Sequence, residues 1–143
     1  MVDRREMLGR FRNIGLIAAG LGAGGWWIVS EVRAGIHEAD LTRIGNGIPA
    51  VVQVHDPHCP TCQALQREVR AAMAPFGDDE LQYLVANIRQ DKGRDFQRQH
   101  DVPHVTLILF DGDGERQEIL SGPNRADHLE QVFRQLAQRK AQS

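Results

Sequence analysis

Residues 49–74 constrain this chain more than any other stretch. Pro49 opens Ala50-Val51-Val52-Gln53-Val54, a run that reads as a buried strand. Asp56 and Pro57 end it, and the chain's two cysteines follow as Cys59-Pro60-Thr61-Cys62. Leu65, Val69, Ala72 and Met73 then recur at helical spacing, so a helix is expected from about Pro60 to Ala74. Pro75 and Gly77 stop it. A disulfide across two intervening residues removes little chain entropy, and framework bridges normally spread their cysteines along the chain. The pair is therefore placed for chemistry rather than for stapling.

The remaining chain supplies a sheet for this strand. Leu81–Ile88 reads as a second strand and Asp91–His100 as a short helix with Phe96 as its main apolar residue. Val105–Phe110 is apolar and β-branched almost without alternation, as expected of a strand buried on both faces. Asp111-Gly112-Asp113-Gly114 predicts a hairpin turn, with a returning strand over Glu115–Leu120 broken by Gly122-Pro123. Asn124 is expected to cap a last helix whose apolar stripe is Ala126, Leu129, Val132, Phe133 and Leu136. Ile36, Ala39, Leu41 and Ile44 suggest a further short amphipathic helix ahead of the first strand. The order begins with a parallel crossover and ends in an antiparallel hairpin. This predicts an α/β domain with a mixed central sheet and helices on both faces. The chain's 143 residues suffice for one such domain over residues 31–143.

Residues 1–30 are different in kind. Arg4, Arg5, Arg10 and Arg12 outweigh Asp3 and Glu6, and no charge occurs from Asn13 to Ser30. A basic start before an uncharged apolar stretch is the layout of a signal peptide or a signal anchor. Five glycines weaken the stretch as a membrane helix, while Trp26 and Trp27 suit an aromatic belt. Asp3-Arg4-Arg5-Glu6-Met7-Leu8 resembles a bacterial twin-arginine export signal, with Val32-Arg33-Ala34 as a cleavage site. Cleavage and retention as an anchor both stand as readings. Either places the domain in the periplasm, tethered to the inner membrane or released, where disulfides persist. With the net charge of −2 for the whole chain, the part beyond residue 30 is mildly acidic. That argues against a nucleic-acid partner, which would need a basic face.

From about Ile48 to Ala137 the chain resembles thioredoxin: a strand into Cys-x-x-Cys at a helix start, a strand ending in Asn87-Ile88, Val102-Pro103 ahead of an apolar strand, a glycine-containing hairpin, Gly122, and a final amphipathic helix. The resemblance implies a thiol–disulfide oxidoreductase acting on protein thiols or disulfides, with an upstream electron donor or acceptor and no organic cofactor or metal. Cys59, at the helix N-terminus where unpaired amides favour an anion, is then the nucleophile and Cys62 the resolving thiol. Pro103 is implied to be the family's cis-proline, with Val102 pairing with an extended substrate in the groove.

The departures bear on the task. His58 stands where thioredoxins carry a tryptophan, and Gln53 where they carry a buried aspartate. The proton acceptor for the second thiol is therefore not the usual one. His55, His58 and His104 are expected on the active-site face, suited to tuning the thiolate or to proton transfer near neutral pH. His55 and His58 also read simply as exposed loop residues. The same histidines, with two thiolates, support a second function: an exported thioredoxin-fold module that binds or handles copper. Asp111-Gly112-Asp113-Gly114 is not the start of a calcium loop, because the twelfth position is Gly122 and the bidentate carboxylate is missing.

Overall fold

The computed structural model describes residues 25–141. The basic start and most of the uncharged stretch, on which the export and anchor readings rest, lie outside these residues. Two units are distinguished, divided after His37. Residues 25–38 lie in a helix, α1, whose last residue, Glu38, falls past the division. Its Trp26, Trp27, Ile28, Val29, Val32 and Ile36 are all exposed. Among the described residues no helix is long and apolar enough to cross a membrane.

The expected amphipathic helix around Ile36–Ile44 does not form. Ile36 belongs to α1, and a single 3-10 turn over Leu41–Arg43 follows. Asp40 caps that turn by accepting from the Thr42 amide at 3.1 Å and the Thr42 hydroxyl at 2.6 Å. Gly45 at φ +84° prevents its continuation. Leu41 and Ile44 still reach the core, which is what their apolar spacing reflected.

The second unit holds β1 (Ala50–His55), α2 (Pro60–Met73), β2 (Gln82–Asn87), α3 (Asp91–His100), β3 (Thr106–Phe110), β4 (Arg116–Ser121) and α4 (Ala126–Ala141). The sheet order is β2-β1-β3-β4. β1 runs parallel to β2 and antiparallel to β3, and β4 returns antiparallel to β3. Every residue of β1 and β3 is buried, because both faces are covered. On one face Val51, Tyr83, Leu107 and Leu109 meet Leu65 and Val69 of α2 and Leu129, Phe133 and Leu136 of α4. On the other, Val52, Val54, Leu84, Ile108 and Phe110 meet Phe96 of α3. Period-two alternation along each strand thus feeds two cores at once.

One local device differs from expectation, and the hairpin turn forms as expected. Asn124 does not cap α4: its side-chain amide donates to the Gly122 carbonyl at 3.1 Å. The amide of Ala126 donates instead to the Glu68 carboxylate of α2 at 2.7 Å, so the negative charge at this helix start comes from across the fold. In the hairpin, Asp111 Oδ1 accepts from the amides of Asp113 at 3.0 Å and Glu115 at 2.9 Å. Its carboxylate is spent on the turn.

Candidate functional site

β1, an inner strand, delivers the chain to one end of the sheet, where residues 56–59 turn it into α2. The Cys59 amide closes this turn on the Asp56 carbonyl at 3.0 Å. Cys59 is the N-cap of α2, with extended backbone, and Pro60 begins the helix where its missing N–H costs nothing. The Cys59 Sγ accepts the Cys62 amide at 3.3 Å, doing for a thiol what a serine or aspartate oxygen does at other helix starts. Both cysteines are free thiols; Cys59 is half-buried and Cys62 fully buried.

Their acidities diverge. Hydrogen bonds from the Cys62 amide and then its thiol lower the Cys59 pKa, with help from the Thr61 amide, against burial and the Asp56 carboxylate. Burial raises that of Cys62, and the Cys59 sulfur adds to it, while the Asp56 and Val105 amides act the other way. The surroundings thus favour the thiolate form at Cys59 and the thiol form at Cys62.

Behind the sulfurs lies a buried polar chain. The Gln53 side-chain nitrogen donates to the Cys62 carbonyl at 2.9 Å and lies 3.2 Å from His55 Nδ1. The Tyr83 hydroxyl donates to Gln53 Oε1 at 2.7 Å. Burial lowers the His55 pKa and raises that of Tyr83, which favours the neutral form of each. In front, Asp56 receives both Nε and Nη2 of Arg89, at 3.0 and 3.1 Å, and the His58 amide at 3.0 Å. The guanidinium leads the causes that bring Asp56 down to about 2.

The predicted residues separate into two groups. Cys59, Cys62, Gln53 and His55 come together, and His55 is buried rather than an exposed loop residue. His58 is exposed, with Nδ1 3.6 Å from Asp56. Pro103 and His104 are exposed, and Val102 packs against the α3 side of the sheet. The Val102–Pro103 bond is trans, not cis. The turn beside the cysteines is made further on, by Val105. Val105 takes φ +62°, a conformation costly for a β-branched residue. Its amide donates to the Val54 carbonyl at 3.2 Å and its carbonyl accepts the Gly122 amide at 2.8 Å, which holds it there. The left-handed residue also explains why β3 begins at Thr106 rather than Val105.

Tyr83, Val105, Asp56 and Arg89 escaped the sequence reading. The apolar strand around Tyr83 and the ordinary Asp-Pro turn signal gave no hint of a site, although Gln53 inside an apolar strand did advertise a buried polar contact. Among the described residues no three His, Cys, Asp or Glu side chains converge as a metal-holding group, so the donor set of the copper reading is not assembled.

This arrangement of sheet, helices and cysteine pair is the thioredoxin fold. Solved structures similar to the chain include the thioredoxin-like protein Trxlp from Edwardsiella tarda, at 24% identity and TM-score 0.55 over 64% of this chain and 87% of that one. A thioredoxin-like protein from Clostridium perfringens matches at 22% identity and TM-score 0.57, over 68% and 78% of the two chains. Thioredoxin O2 from Arabidopsis thaliana matches at 18% and 0.54, over 76% and 88%. No family model matches the sequence, and no curated protein does.

Proposed function

We propose that this chain is a thiol–disulfide oxidoreductase acting on protein thiols or disulfides through Cys59 and Cys62. One observation carries the reading: the half-buried Cys59 sulfur accepts the Cys62 amide at the start of α2, with the Cys62 thiol buried behind it. In the reducing direction the Cys59 thiolate attacks a substrate disulfide. A Cys59–substrate bond forms, and the first substrate sulfur leaves with the electron pair and takes up a proton. Cys62 then loses its proton and attacks Cys59. The Cys59–Cys62 bond forms, the second substrate thiol is released, and two electrons have passed to the substrate. Oxidation of a dithiol runs the same steps backwards, and the potential of the pair sets the direction. The chemistry requires no organic cofactor. Turnover of an insulin or peptide disulfide by the full chain, abolished in Cys59→Ser and arrested as a mixed disulfide in Cys62→Ser, is the expected result. Undiminished turnover in Cys59→Ser sinks the reading.

The groove for an extended substrate is proposed along Val102–His104, beside the turn at Val105. Its supports are the exposure of Pro103 and His104 and the nearness of Val105 to Cys62. We further propose that the domain works outside the cytoplasm, held at or released from the inner membrane by its N-terminal segment. The arginines before the uncharged stretch and the exposed apolar residues of α1 support this. A reporter enzyme active only outside the cytoplasm, fused after Ser143, is expected to be active; an inactive but stable fusion contradicts it.

A further inference from the structure

Gln53, inside β1, and His55, its last residue, are the polar side chains of an otherwise apolar strand. Gln53 is wholly buried and His55 nearly so. A carboxamide carries two N–H donors on its nitrogen and only lone pairs on its oxygen. The Cys62 carbonyl can only accept, so its 2.9 Å contact establishes which end of the Gln53 amide is nitrogen. The oxygen end then takes the Tyr83 hydroxyl. The remaining N–H of Gln53 faces His55 Nδ1 at 3.2 Å. A ring nitrogen that faces a donor is an acceptor and carries no proton.

We propose that Gln53 is a positioning residue whose single amide holds His55 as the neutral imidazole protonated at Nε2 and pins the first turn of α2 at Cys62. This deepens the dithiol reading above and, for its effect on the sulfurs, rests on it. Charging His55 requires a proton at Nδ1, which would set two donors against each other. Every element around the ring bears on that step. Asp56, beyond the end of β1 and paired with Arg89, favours the charged ring. Burial opposes it more strongly, and Arg70 of α2, itself paired with Glu38, opposes it to a smaller extent than Asp56 favours it. Tyr83 of β2 and Cys62 of α2 contribute neutral groups. The back of the dithiol therefore stays uncharged near neutral pH, and stabilising the Cys59 thiolate falls to the Cys62 and Thr61 groups.

The test is nitrogen NMR of the full chain, labelled at histidine and held as the dithiol, with His55→Gln identifying the His55 signals. The wild type is expected to show a bare Nδ1, a protonated Nε2, and a titration midpoint below the ordinary value of about 6.5. Gln53→Met keeps an unbranched side chain but removes the donor. Its His55 is expected to show both tautomers and a midpoint raised by about half a unit or more. The pH profile of Cys59 alkylation, a single ionisation in the wild type, then gains a second one near neutral pH. A wild-type His55 protonated at Nδ1 overturns the proposal, as does an unchanged tautomer or a single ionisation in Gln53→Met. If Gln53→Met does not fold, the wild-type spectrum alone decides. A bare Nδ1 in a chain whose cysteines never form a reversible disulfide keeps the tautomer assignment and removes the dithiol reading instead.

Discussion

Cys59 and Cys62 lie three residues apart and differ in what surrounds each sulfur. Amide and thiol donors face Cys59, whereas apolar burial dominates at Cys62. Alkylation of the full chain should therefore modify Cys59 first and continue at pH values below the ordinary thiol range, while Cys62 stays protected until higher pH. Peptide mapping after a short pulse of iodoacetamide reads this, and equal labelling of the two would contradict it. Asp56 gives a second residue-scale prediction. Its folded pKa of about 2 lies below the unfolded value near 3.9, so its stabilising contribution is present above about pH 4 and disappears as pH falls towards 2. Asp56→Asn should flatten the acid limb of the stability curve in that window and leave its alkaline limb alone. Acid unfolding followed by circular dichroism measures it.

At the scale of elements, the start of α4 depends on a side chain from α2. Glu68→Ala should cost about 1 kcal/mol in chemical denaturation, the usual worth of a lost helix cap, while Asn124→Ala should cost less. An equal loss from both would return the cap to Asn124. This element shows where a sequence stops being legible. Asn124 carries the local signature of a cap, but the carboxylate that accepts the Ala126 amide lies 58 positions before Ala126 in the chain. The strand into Cys59, α2, α3 and the β3–β4 hairpin were readable because each is written in local periodicity and turn residues. Val105 was not, since nothing local marks a valine for left-handed backbone; it is set by bonds to Val54 and Gly122 from elsewhere in the fold. Pro103 did announce a special bond, but the turn against Cys62 is made at Val105, and the proline stays trans in an exposed segment. Gln53 fell between these cases. Its departure from an apolar strand was visible, while its partners Tyr83 and the Cys62 carbonyl became apparent only with the register of β1 beside β2 and the packing of α2.

Taken whole, the unit from Glu38 onward holds two apolar layers, one on each face of the sheet. Phe133, wholly buried where α4 meets the sheet, should cost about 3–5 kcal/mol when cut to alanine. A chain beginning at Glu38 should unfold in a single transition and keep the relative reactivity of its two cysteines, because among the described residues both cores and the polar network behind the thiols draw on residues from Leu41 onward. Thermal unfolding with pulse alkylation checks both statements together. If Cys59 and Cys62 form one reversible two-electron couple, equilibration of the full chain against graded thiol–disulfide buffers reads it out. A single two-electron transition between the dithiol and an intramolecular Cys59–Cys62 disulfide is expected, at a potential between about −270 and −120 mV. Thiols that stay free across that range, or that close only into disulfides between chains, would contradict it.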